Sequence, residues 1–240
     1  MDLLPVAGGG QMRQILIREY SNRMRHYLGG NSMKKQRLSL LCMMVLVLML
    51  SVEAAAGTTV TGPTGLLTLP TADALAPGEL SFGYHMKGGS GIGSITYGLI
   101  PGLEAGLAAA GSRHSNIGVH GKAVLSHESA SLPGVAVGLC DESFYMVASK
   151  RLLGAGVRGH VGVGTGRYDG LFLGVSKMLN PVVVDSGKGS STPAALLAVE
   201  YARGAFNLGV DVILSPHVRL KAAAEDFDTL ILGVSFKAAL

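Results

Sequence analysis

His85, His120, His160 and His217 fall on the polar positions of four separate short segments. Imidazoles so placed could hold a metal or pass a proton. No HxH or HxxxH pair joins any two of them, so they read as scattered polarity, and no metal or cofactor is expected. Gly187-Lys188-Gly189-Ser190 has phosphate-loop residue types without the P-loop spacing or a following helix, and Gly162-x-Gly164-x-Gly166 opens no helix either. No G-x-S-x-G elbow is present. No catalytic residue emerges, and the protein is expected not to be an enzyme. What remains is charge on polar strand faces. Lys122, Arg158, Arg219 and Lys221 can oppose Asp211 and Glu200. With His120 and His160, the set His120, Lys122, Arg158, His160, Asp211, Arg219 and Lys221 is the candidate lining of an interior.

The elements that would position these residues are strands. Leu80, Phe82, Tyr84 and Met86 alternate with Ser81, Gly83, His85 and Lys87. Phe206, Leu208, Val210 and Val212 alternate with Asn207, Gly209 and Asp211, and Leu230 to Phe236 repeats the pattern. Side chains on a strand point to opposite faces in turn, so each segment has one apolar face and one polar or glycine face. Turn signals such as Gly88-Gly89, Pro101-Gly102, Pro133-Gly134, Asp169-Gly170 and Arg203-Gly204 separate the segments. The expectation is all-β: an antiparallel up-and-down β-barrel of about twelve strands over residues 80–240. Closure removes the two open edges of so long a sheet.

Two readings of the alternation stand. In an outer-membrane barrel the apolar face meets lipid and the polar face lines the lumen. In an exported soluble barrel or sandwich, binding a ligand or envelope partner, the apolar face points inward. Gly83, Gly118, Gly138, Gly162, Gly164, Gly174, Gly209 and Gly233 make the second face thin, which suits a narrow lumen better than a water-facing exterior. The absence of Trp, with seven Tyr and six Phe, leaves few residues for interface girdles.

The formal charge of +4 misleads. Residues 1–56 hold seven basic and three acidic residues, leaving thirteen of each sign in the rest. No basic stripe with interleaved aromatics follows, so no nucleic-acid partner is expected. Met33-Lys34-Lys35-Gln36-Arg37, an apolar run to Val52, and Ala54-Ala55-Ala56 are ordered as a signal peptide over 33–56, with cleavage after Ala56. Residues 1–32 then read as an extension from a misplaced start, with Met33 as initiator. Cys42 lies within the apolar run, leaving Cys140 as the single mature cysteine. Residues 57–79 form a lead-in, in which Pro63, Pro70 and Pro77 exclude a long helix or central strand. This segment is expected to pack into or across one mouth of the barrel as a plug.

Gly65-Leu66-Leu67-Thr68-Leu69-Pro70-Thr71-Ala72, Leu99-Ile100-Pro101-Gly102-Leu103-Glu104-Ala105-Gly106 and Leu132-Pro133-Gly134-Val135-Ala136-Val137-Gly138-Leu139, followed by Phe144 to Arg151, resemble YjbH-type proteins. The similarity spans roughly residues 62–178. The resemblance implies an outer-membrane barrel linked to exopolysaccharide production or export, in a structural or transport-supporting role. The implied partners are membrane lipid, polysaccharide and envelope-assembly proteins. It supplies no catalytic residues. The expected location is the outer membrane, in an organism that has one.

Overall fold

The computed structural model describes residues 57–111, 116–152, 156–179 and 193–240. The signal-peptide and start-site readings lie outside the described residues, as do His114 and Gly187 to Thr192.

A short hairpin comes first, β1 (Gly57–Thr58) paired with β2 (Thr64–Gly65). The twelve barrel strands follow: β3 (Glu79–Lys87), β4 (Ser90–Ile100), β5 (Leu103–Gly111), β6 (Asn116–Ser126), β7 (Gly134–Cys140), β8 (Ser143–Leu152), β9 (Val157–Gly164), β10 (Gly170–Leu179), β11 (Ala194–Ala202), β12 (Ala205–Ser215), β13 (Val218–Glu225) and β14 (Thr229–Ala239). Each pairs antiparallel with its neighbours in sequence, and β14 closes on β3 through pairs such as Val234↔Tyr84 and Phe236↔Phe82. Twelve strands and an up-and-down order are what the alternation implies. Among the described residues the only helical piece is a 3-10 turn, Gly166–Tyr168.

The direction of the apolar face decides between the two readings. On β3, Phe82, Tyr84 and Met86 are 46%, 52% and 47% exposed, whereas Ser81 and His85 are 2% and 0% exposed. Val161, Val163, Leu171, Leu173, Leu220 and Leu232 likewise point outward. A soluble barrel would hide these side chains, so the exported soluble alternative is set aside. Nine of the twelve strands have 9 to 11 residues, the length that crosses the hydrocarbon layer when tilted. Six of the outward-facing aromatics lie toward one end or the other of their strands. Phe82, Tyr97 and Phe236 lie near the end that carries Glu79 and Ala239. Phe144, Tyr201 and Phe206 lie near the other end, where the Tyr201 and Phe206 rings stand 4.8 Å apart. Such bands suit the two interfaces. With this outward face, the closed barrel is an outer-membrane barrel.

Val210 pairs with Leu197 and Ala222, and Ala222 pairs with Leu232, in the middle of this outer face. Val210→Arg or Leu232→Arg is expected to cost about 2–4 kcal/mol at mid-membrane, read from urea unfolding in vesicles. Tolerance of both would remove the lipid-facing assignment. A lumen position is not automatically milder. Asp211 is buried beside Arg219 and Lys221, so an arginine there would gather three cations.

The lead-in differs from its sequence reading in one respect, since it carries the β1–β2 hairpin where no strand pattern was evident. The thin inner face is also fuller than glycine content suggests. A Cβ on Gly162 would stand 2.2 Å from the Phe172 ring, and one on Gly138 would stand 2.4 Å from Tyr145. These glycines let neighbouring aromatics lie flat against the wall. Tyr145, Tyr168 and Phe172 then pack with Leu69 and Ala72 of the lead-in.

Candidate functional site

The lead-in runs through the lumen. Leu66, Leu67, Leu69 and Leu75 are each 3% exposed or less, although they follow no strand alternation of the barrel. Leu66 and Leu67 pack with Met178, Leu196 and Ile231 of the wall. The chain reverses once in the β1–β2 hairpin and again around Leu67 to Leu69, where Gly65 bridges Pro70, and then returns to β3 at Glu79.

Polar side chains of the wall tie its backbone down. Glu104 on β5 accepts from Thr64 N at 2.7 Å and from Leu75 N at 2.9 Å, and also from the Thr64 hydroxyl. One carboxylate thus joins the outgoing and returning limbs. Lys122 on β6 lies 3.1 Å from Glu104 Oε1 and donates to Thr64 O at 2.6 Å. On the opposite wall, Glu200 on β11 accepts from Leu67 N at 2.8 Å, Thr68 N at 3.0 Å and Leu69 N at 3.0 Å. It also accepts from the Thr68 hydroxyl at 2.6 Å. Three successive amides around one anion form a nest that sets the turn. Lys221 on β13 donates to Thr58 O at 2.6 Å and Leu66 O at 2.5 Å. The anions hold N–H groups and the cations hold carbonyls. A segment of irregular backbone must find such partners when it is buried.

The other predicted residues join the same arrangement. His120 Nε2 lies 3.0 Å from Thr96 Oγ1, which donates its hydrogen to Gly62 O at 2.8 Å. The threonine hydrogen is thereby used, so the imidazole N–H is the donor to Thr96. Gly62 has φ +110°, and a Cβ there would stand 2.2 Å from His120 Cε1, so no other residue fits against the imidazole. His160 bonds Ser149 Oγ at 2.8 Å and Ser176 Oγ at 3.1 Å, and Ser149 accepts from Ala72 N at 2.9 Å. Arg158 grips Asp73 with Nη1 at 2.5 Å and Nη2 at 2.8 Å, and its Nε reaches Glu128 at 3.0 Å. Asp211 Oδ2 is 3.5 Å from Arg219 Nη1. His85 is fully buried, with neither ring nitrogen hydrogen-bonded, and His217 lies exposed against Lys237 O. Among the described residues no group of three metal-ligating side chains comes together.

Glu104, Thr96, Ser149 and Asp73 were not singled out from the sequence. Glu104 had a signal, since it is the one charge on the small-residue face of Leu103–Gly111. Asp73 had none, because its role depends on a lead-in whose path no periodicity reveals.

Burial pushes the Asp73 carboxyl up, but the hydrogen bonds and charge of Arg158, with Thr71 and Lys122 behind, outweigh it and hold Asp73 below its ordinary 3.8. A depressed folded value means the contact contributes fully above that ordinary value and is lost as pH falls through the depressed one. The returning limb is therefore expected to loosen only below roughly pH 4, seen as acid-induced channel openings in planar bilayers. A transition centred near neutral pH would assign the control to another group.

The opposite mouth is a cup of about 570 Å3 whose floor is the lead-in at Thr61, Thr68 and Leu69. Its rim mixes signs, with Lys87 paired to Glu225 at 2.5 Å, and Arg203, Asp226 and Asp228 nearby.

A family profile described as "Exopolysaccharide biosynthesis protein YbjH" matches residues 58–192, which is more than half of the chain. The chain belongs to the YjbH family. The match to this YjbH-family profile begins at the lead-in, at Thr58. No curated protein matches the sequence. Among solved structures, the KdgM porin is 10% identical, with 66% of this chain and 98% of that one covered and a TM-score of 0.43. The Acinetobacter baumannii outer membrane protein Omp33 is 12% identical, with 68% and 97% covered and a TM-score of 0.41.

Proposed function

We propose that this YjbH-family protein supports exopolysaccharide production from the outer membrane as a non-catalytic barrel with a releasable plug. One observation carries the reading. Residues 57–78 fill the lumen, and Glu104, Lys122, Glu200 and Lys221 hold their backbone through polar contacts. Each such contact can be exchanged for water, whereas a purely apolar plug would have nothing to gain by release. The gated lumen would pass, or sense, a hydrophilic chain. Polysaccharide and envelope-assembly proteins are the partners this role calls for.

Cells lacking the protein are expected to release less exopolysaccharide. The Glu104→Gln/Glu200→Gln double variant should restore release and admit a large hydrophilic antibiotic that the wild-type barrel excludes. Unchanged exopolysaccharide in the deletion strain would remove the role. Restored release with unchanged permeability would make the barrel a structural support rather than a conduit.

A further inference from the structure

The first residue of the plug lies against a buried acid with an unused oxygen. Gly57 is buried and pairs with Gly65. A Cβ on Gly57 would stand 2.7 Å from Asp211 Oδ2 and 3.2 Å from Arg219 Nη1, so its Cα lies close beside the carboxylate and the guanidinium. Asp211 is 3% exposed. Its Oδ2 reaches Arg219 only at 3.5 Å, and its Oδ1 is buried with no hydrogen-bond partner. A buried carboxylate oxygen without a donor is costly. Neighbouring Lys221 is committed to Thr58 O and Leu66 O.

The sequence, independently, places signal-peptide cleavage between Ala56 and Gly57. Hydrolysis there by a signal peptidase adds the hydroxyl of water to the Ala56 carbonyl and its hydrogen to the Gly57 nitrogen. That nitrogen takes a further proton near neutral pH, its ordinary pKa being about 7.7–8.0. One amide donor becomes three ammonium donors, with a positive charge, beside a carboxylate whose Oδ1 has no partner.

We propose that the α-ammonium of mature Gly57 docks on Asp211 inside the lumen, so that signal-peptide removal completes the seating of the plug. The proposal rests on the plug reading and on cleavage after Ala56. Arg219 and Lys221 bring positive charge to the same corner, and Asp211 is the carboxylate that Gly57 faces there, so the ammonium docks on Asp211. The uncleaved chain has no charge to offer there.

The test uses the full mature barrel purified from outer membranes, with its N-terminus read by mass spectrometry and expected at Gly57. An aldehyde reagent selective for α-amines should label the wild type slowly. In Asp211→Asn it should label about tenfold faster, the equivalent of one lost charge-assisted bond. Arg219→Gln should stay slow. If Asp211→Asn does not fold, one glycine inserted after Ala56 keeps every wall residue and moves the ammonium away, and labelling should again be fast. Protease protection of residues 57–78 is followed in parallel. A terminus other than Gly57, or equal labelling of wild type and variants while the plug stays protected, overturns the docking. An unprotected plug in the wild type overturns the plug reading itself.

Discussion

A chain lacking residues 57–78 is expected to fold as the same twelve-strand barrel and to conduct ions in planar bilayers where the full chain is silent. The barrel does not depend on the lead-in for its pairing, because every strand from β3 to β14 is hydrogen-bonded on both sides and the ring closes on itself. Its outer apolar face meets lipid whether or not the lumen is filled. A ring of twelve strands leaves space inside unless side chains or a plug occupy it. Removing the segment withdraws Leu66, Leu67, Leu69 and Leu75 from the lumen, all of them buried there now. The side chains left behind include Glu104, Lys122, Glu200 and Lys221, which water can solvate once the backbone they hold is gone. The expected change is from no current to discrete ohmic steps. A truncated barrel that folds and stays silent would mean that Tyr145, Tyr168 and Phe172, with the wall charges, close the lumen unaided.

The barrel was legible because its signal is local. Each of the twelve strands has an alternation of its own, and the turn residues between them mark the boundaries to within a few positions. The outward direction of the apolar face was legible only as a preference. Glycine on the polar face argued for a lumen, but two-faced strands do not themselves say which side is wet. His120, Lys122, Arg158, His160, Asp211, Arg219 and Lys221 could be placed on one face by parity alone. What they hold could not be read. Gly62 against His120, Thr64 against Glu104 and Leu67 to Leu69 against Glu200 join positions 40 to 133 residues apart, with one partner in an irregular segment. No period links such pairs, and the three prolines mark the segment only as neither helix nor central strand. The glycines misled in a specific way. Their lack of a side chain suggested empty space, whereas at Gly138 and Gly162 it makes room for Tyr145 and Phe172.

The largest single-residue effect is expected at the Glu104–Lys122 pair. Both side chains have no solvent exposure, and their charged atoms lie 3.1 Å apart. Removing one member of a buried pair strands the other and costs about 3–5 kcal/mol. Lys122→Met leaves the Glu104 charge with only the donors from Thr64 and Leu75, and it removes the donor to Thr64 O. Glu104→Gln leaves the buried Lys122 ammonium with neutral oxygens, the Thr64 carbonyl and the new amide, in place of the carboxylate. The Glu104→Gln/Lys122→Met double variant buries no unpaired charge, and Gln can still accept from one of the two amides. It is therefore expected to be less damaged than the sum of the single variants, by about 2 kcal/mol or more. The loss should appear in the seating of the plug before it appears in the barrel. Urea should expose residues 57–78 to protease at a lower concentration while the unfolding midpoint of the barrel moves little. Additive effects in that cycle would mean that the two groups hold the plug independently and that their proximity contributes nothing. A matching fall in the barrel midpoint would mean that plug and wall unfold as one unit, which would remove the mechanical basis for a releasable plug.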